Sequence, residues 1–247
     1  MELSYTVFDP TGNITVLVQT PVPAAEQPCV AAALMAREPA CEQVCFRMPD
    51  TPGADITVRM AGGEFCGNAS MSAAARLCAE RGWERAAVTV AIGGQFVPVT
   101  VEKTGEGCYR CAVTMPRALR ITEAFGLPLV ELPGISHLIV TAPMAREAAE
   151  TAIRGWCRAL GADALGLMLL DEARQRLDPL VYVPQADTLF WERSCASGTA
   201  AVGAWAGPGT VLSLEEPGGV LTVRTALDGT VTLEGTVRLA GQHTATV

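Results

Sequence analysis

The chain has 247 residues and a mass of 25.9 kDa, with 49% hydrophobic and 18% charged residues. That excludes a disordered chain and allows one large domain or two of ordinary size. A net charge of −8 and a pI near 4.9 argue against nucleic acid or an anionic membrane surface as partner, because such contacts need clustered Lys and Arg.

Leu3 to Phe8 and Ile14 to Val18 read as a β-hairpin around Asp9-Pro10-Thr11-Gly12-Asn13. Ala24 to Arg37 is helical, with Pro28 tolerable only near its start. Strands follow at Gln43 to Met48 and Ile56 to Met60. The loop Gly62-Gly63-Glu64-Phe65-Cys66-Gly67-Asn68 then leads into a small-residue helix, Ala69 to Glu80. Ala87 to Ile92, Phe96 to Glu102 and Tyr109 to Met115 complete the first half as strands.

The second half repeats this order. His137 to Thr141 is a strand, and Arg146 to Leu160 a helix with apolar positions at helical spacing. Strands are expected at Leu165 to Leu170, Leu180 to Val183 and Thr188 to Trp191. After Glu192-Arg193-Ser194-Cys195-Ala196-Ser197-Gly198 comes the small apolar stretch Thr199 to Ala206. Strands at Thr210 to Leu214, Val220 to Thr225 and Val231 to Val237 close the pattern. The Cys-led segments CGNASMSAAA and CASGTAAVGA occupy equivalent places. An internal duplication into two similar α/β domains is therefore expected, with a boundary near Pro116 to Glu123.

Nine cysteines at irregular spacings, with no export signal, fit small buried thiols in a cytoplasmic protein better than a disulfide framework. No apolar run reaches the roughly 18–20 residues of a membrane span. Cys108 and Cys111 form a CxxC on a strand without a second pair at zinc-site spacing, so no metal site is expected there. His243 is expected at the surface, and Glu64 to orient the Cys66 loop.

Cys66 and Cys195 stand apart because each precedes a helix. Helix N-termini present unpaired N–H groups and favour anions, which lowers a thiol's pKa and can grip a carboxylate. Two such thiols suit inversion at an α-carbon, where one group removes a proton and another returns one from the opposite face. Preorganised N–H dipoles would stabilise the carbanion between those steps. The bland reading is two buried core cysteines, and pattern alone leaves the two readings near even.

The segments Gly63 to Ala69 and Glu192 to Gly198, with the Gly12-Asn13 turn, resemble the diaminopimelate epimerase family of two-cysteine, pyridoxal-independent racemases and epimerases. The resemblance covers nearly the whole chain. It implies an α/β fold of two pseudo-symmetric domains, each a strand-rich roll or barrel around a central helix, with the active site in a cleft. The domains would be 1–117, carrying Cys66, and 118–237, carrying Cys195, with 238–247 as a candidate return to the first.

By resemblance, Cys66 and Cys195 are the catalytic pair, Glu192 assists the second cysteine, and His137 lies where the family has a His near the first. Asn13, Gln43, Gly67, Asn68, Ala196 and Ser197 match substrate-binding positions. The partner is an amino-acid substrate, no cofactor is implied, and a homodimer stays open. The motif departs from diaminopimelate epimerases in its short Glu192-to-Cys195 spacing, in Ala196, and in lacking Asn before His137 and near Asp178-Pro179. It looks more like the histidine racemase branch, so a single-stereocentre substrate such as histidine is expected. The alternatives are diaminopimelate epimerase proper, a phenazine-biosynthesis-type isomerase, and a non-catalytic amino-acid binding protein.

Overall fold

A computed structural model describes residues 1–247, the side chain of Ala186 excepted. The chain divides into two compact units, residues 1–114 with 234–247, and residues 115–233.

The first unit begins with the antiparallel hairpin β1 (Glu2–Pro10) and β2 (Ile14–Val18). Helix α1 (Gln27–Arg37) places Pro28 in its first turn, where a missing N–H costs nothing. It therefore starts later than Ala24. The helix carries the chain over to β3 (Cys41–Arg47), which runs parallel to β2, and β4 (Ile56–Met60) returns antiparallel. Helix α2 (Gly67–Arg81) then crosses to β5 (Arg85–Ile92), parallel to β4, and β6 (Gln95–Gly105) and β7 (Cys108–Thr114) follow antiparallel.

The last strand, β16 (Val231–Thr246), extends well past Val237. It pairs with β1 from Glu2↔Thr246 to Pro10↔Val237 and neighbours β7, closing an eight-stranded barrel. Helix α2 touches β1, β2, β4, β5, β6 and β7. Gly67 to Ala75, Leu77 and Cys78 are all buried. A helix covered on every face must be apolar or small all round, and the Ala- and Ser-rich composition of α2 meets that need inside a narrow barrel.

The second unit repeats the order and polarity. After an additional strand β8 (Arg120–Ala124) come the antiparallel β9 (Leu127–Leu132) and β10 (Ile135–Val140). Helix α3 (Arg146–Leu160) leads to β11 (Leu165–Asp171), parallel to β10. Strand β12 (Arg176–Val183) returns antiparallel, with the short β13 (Thr188–Trp191) beside it. Helix α4 (Ala196–Ala206) crosses to β14 (Val211–Glu216), parallel to β12, and β15 (Gly219–Thr225) pairs antiparallel. Thus β9-β10-α3-β11-β12-α4-β14-β15 matches β1-β2-α1-β3-β4-α2-β5-β6 pairing for pairing.

Alternation along β10 divides the second core. Ile139 packs with Cys195, Ala201 and Val202 on the α4 side, and Leu138 with Ala149, Ile153 and Cys157 of α3 on the other. Among the described residues, no helix is long and apolar enough to cross a membrane.

The hairpin β8–β9 was not expected from the sequence. Its first strand is mostly exposed, and Leu127-Pro128-Leu129 masks the alternation of the second.

Candidate active site

Cys66 is the N-cap of α2, with extended backbone (φ −143°, ψ 119°), and its sulfur accepts from the Ala69 N–H at 3.4 Å. The Ser70 hydroxyl donates to the Cys66 carbonyl at 2.7 Å, fixing the turn. The thiol donates to Gln43 Oε1 at 3.1 Å. Gln43 Nε2 in turn donates to Thr15 Oγ1 at 2.8 Å, and the fully buried Thr15 hydroxyl donates to the Asn13 carbonyl at 3.1 Å. Asn13 Nδ2 donates to Glu42 Oε2 at 3.0 Å. Parallel pairing of β2 with β3 sets Thr15 opposite Gln43, so the register joins the Asn13 turn to the residue that accepts from the first cysteine. Gly67 and Asn68, both buried, form the first turn of α2 directly after it.

Cys195 occupies the equivalent place at the N-cap of α4 (φ −125°, ψ 98°), its sulfur accepting from the Gly198 N–H at 3.4 Å. Ala196 and Ser197 form the first turn. The surroundings differ from those of Cys66. The Glu192 carboxyl lies close enough to the Cys195 thiol for the two to interact, and the Cys195 sulfur lies 3.6 Å from Ser197 Oγ. Ser197 Oγ is 3.1 Å from His137 Nε2.

Burial pushes the Glu192 carboxyl up to about 7, and its interaction with Cys195 opposes that rise. Burial also pushes the Cys195 thiol well up, and the Glu192 and Glu216 carboxylates add to this. At Cys195 this corrects the expectation of a lowered thiol pKa. At Cys195, lost solvation and two like charges outweigh the helix dipole.

His137 is fully buried, and burial alone pushes it down to about 3, so the ring is neutral at neutral pH. Its hydrogen bond goes to Ser197, two residues past the second cysteine, because β10 and α4 belong to the same core. Nδ1 has no protein partner. There is room for the ring because Gly166, opposite His137 in the β10–β11 register, has no Cβ; one there would overlap Nδ1.

Four contributors escaped the sequence reading: Thr15, Gly93, Gly166 and Glu216. Glu216 is 3% exposed, and its Oε2 accepts from the Cys195 backbone N–H at 2.7 Å. Leu212, Leu214 and Glu216 alternate toward the core along β14, so the period of two carried the signal.

Elsewhere, Trp191 is tied to α3, with Nε1 donating to Glu150 at 2.7 Å and the Arg146 guanidinium 4.2 Å from its ring centre. Cys108 and Cys111, three apart on β7, face opposite sides of the strand. His243 is exposed and lies against Tyr5. Among the described residues, no group of three or more His, Cys, Asp or Glu side chains is arranged to hold a metal ion.

A family model described as the histidine racemase CntK N-terminal domain matches residues 2–245. The chain belongs to the histidine racemase family. The histidine racemase of Staphylococcus aureus is 31% identical over 216 residues, 81% of this chain and 78% of that protein. The histidine racemase of Fusobacterium nucleatum is 28% identical over 219 residues, 81% of this chain and 80% of that protein. The chain is accordingly an isomerase, an amino-acid racemase.

Solved structures show the same fold at low identity. A protein described as a predicted epimerase from Pseudomonas aeruginosa has a TM-score of 0.76 at 17% identity, covering 99% of both chains. A phenazine biosynthesis protein of the PhzF family from Bacillus anthracis gives 0.72 at 13%, covering 100% of both. A hydroxyproline epimerase from Agrobacterium vitis gives 0.70 at 14%, covering 99% of this chain and 92% of that one.

Proposed function

We propose that the chain inverts the α-carbon of histidine without a cofactor, with Cys66 and Cys195 as the two proton-transfer groups. The observation that carries this reading is their equivalence. In two units of matching topology, each cysteine is the N-cap of the helix after the fourth matched strand, its sulfur held at 3.4 Å by the N–H three residues on. The substrate is taken from the relatives, which are named histidine racemases.

In this mechanism one sulfur removes the α-proton as thiolate and the other delivers a proton as thiol, and the reverse reaction exchanges the roles. Glu192 is the group beside the Cys195 thiol that can take its proton, and Gln43 accepts the hydrogen of Cys66. A carboxyl poised near 7 is suited to move that proton at neutral pH. The first turns of α2 and α4, with Gly67, Asn68, Ala196 and Ser197, offer N–H groups and the positive ends of helix dipoles to the substrate carboxylate and to the charge that develops beside it. Asn13 belongs to the same substrate-binding set through the turn it shares with Thr15. His137 acts through Ser197, as a neutral ring that fixes the hydroxyl beside Cys195.

Each enantiomer of histidine incubated in deuterium oxide should return the opposite enantiomer carrying deuterium at the α-carbon. C66S and C195S should each slow conversion by about 10²–10⁴-fold, the usual contribution of a positioned acid or base. Exchange with diaminopimelate and none with histidine would move the substrate to the diaminopimelate epimerases. Full activity in either variant would remove that cysteine from the chemistry.

A further inference from the structure

Glu216 is the last residue of β14, at the tight turn into β15 where it pairs with Gly219. The turn is docked onto the Cys195 loop at two points. Glu216 Oε2 accepts from the Cys195 N–H at 2.7 Å, and the Gly218 N–H donates to the Arg193 carbonyl at 2.7 Å. The other carboxyl oxygen, Oε1, takes the Thr199 hydroxyl one turn into α4. The side chain thus spans the first turn of the helix that Cys195 caps.

A glutamine could accept from the Cys195 N–H through its oxygen and donate its amide to the Thr199 hydroxyl, at a lower desolvation cost. The contacts alone therefore do not account for a carboxyl in this place. The ionisable groups facing Glu216 are Cys195 from α4, Glu192 from the segment before it, and Asp178 from β12, all acidic. Burial pushes Glu216 up to about 8, against the donors from Thr199 and Cys195. Cys195 thus lies between two carboxyls, Glu192 at its thiol and Glu216 at its backbone.

We propose that Glu216 is a positioning residue for the second cysteine: it clamps the Cys195 backbone to the β14–β15 turn, and once it ionises its negative charge holds the Cys195 thiol protonated. The idea rests on the reading of Cys195 as a proton-transfer group. When Glu216 takes up a proton, which Thr199 can accept in a hydrogen bond, the thiol ionises more readily. The charge at Glu216 thereby sets how readily Cys195 serves as base rather than as acid.

The test compares wild type with E216Q, which keeps the shape and removes the charge. Methyl methanethiosulfonate, small and neutral, is reacted across a pH series, and the Cys195 and Cys66 peptides are followed by mass spectrometry. In E216Q the pH midpoint for Cys195 should fall by about one pH unit, a roughly tenfold faster modification in the range above pH 8 and below the midpoint, where wild-type Glu216 is ionised, while that for Cys66 stays put. The corresponding limb of the racemisation profile should move with it. If E216Q does not fold, T199V serves: Glu216 loses a donor that favours its charged form, so the Cys195 midpoint should move the same way.

An unchanged midpoint, equal shifts at both cysteines, or no modification of Cys195 at any pH in the variant would overturn the proposal. Thiol modification needs no turnover, so the result stands apart from whether histidine is the substrate.

Discussion

The Nε2 atom of His137 lies 3.1 Å from Ser197 Oγ, and Ser197 Oγ lies 3.6 Å from the Cys195 sulfur. A fully buried neutral imidazole on β10 is thereby joined to the start of α4. Its place depends on Gly166 on β11, where any Cβ would overlap Nδ1. G166A should therefore displace the ring from Ser197. Overpacking of this kind costs about 1–3 kcal/mol, read as a lower urea midpoint at unchanged slope. Racemisation should fall at least ~10-fold, as expected when a supporting group loses its geometry. A variant with wild-type rate would show that the His137–Ser197 contact does not support Cys195.

The Cys66 loop depends on a similar close approach. Gly93, in the turn between β5 and β6, has φ +55°, and a Cβ there would stand 2.6 Å from the Phe65 N and 2.8 Å from its Cα. Both the left-handed backbone and the contact exclude a side chain. Because the opposing atoms are backbone, they cannot turn aside as a rotamer would. G93A should push Phe65, and with it Cys66, out of place. A shift near 1 Å at a reacting group can cost about 100-fold in rate. Steady-state kinetics with either enantiomer would show this, with circular dichroism confirming that the barrel persists.

Thr15 makes a prediction of another kind, since its hydroxyl bonds to Asn13 and Gln43 rather than to a thiol. Its hydroxyl donates to the Asn13 carbonyl and accepts from Gln43 Nε2, which turns the Gln43 oxygen toward the Cys66 thiol. T15V keeps the volume and removes both bonds, leaving buried polar groups without partners at about 1–3 kcal/mol. Gln43 is then free to present its amide nitrogen to sulfur, and turnover should fall in both directions. T15S should restore both stability and rate, an outcome that a pure packing role for the Thr15 methyl group would not give.

Much of this arrangement was legible in the sequence. Ile14–Val18, Ile56–Met60, Arg146–Leu160 and Thr188–Trp191 match the expected elements residue for residue, because β-branched runs and helical periodicity are local signals. The two Cys-led helices were visible because small residues follow a polar cap. What stayed hidden depends on partners distant in sequence. Nothing local distinguishes Gly166 from any other strand glycine, since its role appears only when β11 pairs with β10. The period of two along β14 turns Glu216 inward, but its partners at the start of α4 are visible only in the fold. The raised Cys195 thiol was missed for the same reason, because the helix dipole is a local inference and the burial that outweighs it is not.

The acidic pair beside Cys195 also sets a pH dependence of stability. Burial raises Glu192 to about 7 and Glu216 to about 8, whereas an unfolded glutamate titrates near ~4.3. Folding therefore holds their protons more tightly than the unfolded chain does. Their contribution to stability is fully present below about pH 4 and is lost as pH rises through 7 and 8, since ionisation then favours the unfolded chain. Glu80 works in the opposite sense, its carboxyl held down by Arg47 and Arg76 against its own desolvation, so the wild-type curve alone mixes both effects. The difference between wild type and E192Q isolates one of them, because the substituted amide cannot ionise. E192Q should unfold at nearly the wild-type urea midpoint at pH 5 and be the more stable protein at pH 8.5. The gap should be on the order of 1–3 kcal/mol, reduced from the full linkage value because the two carboxyls share the cost of ionising. A gap that is constant with pH, or that grows toward acid, would mean Glu192 is ionised in the fold at neutral pH, and the proton it shares with Cys195 would have to be reassigned.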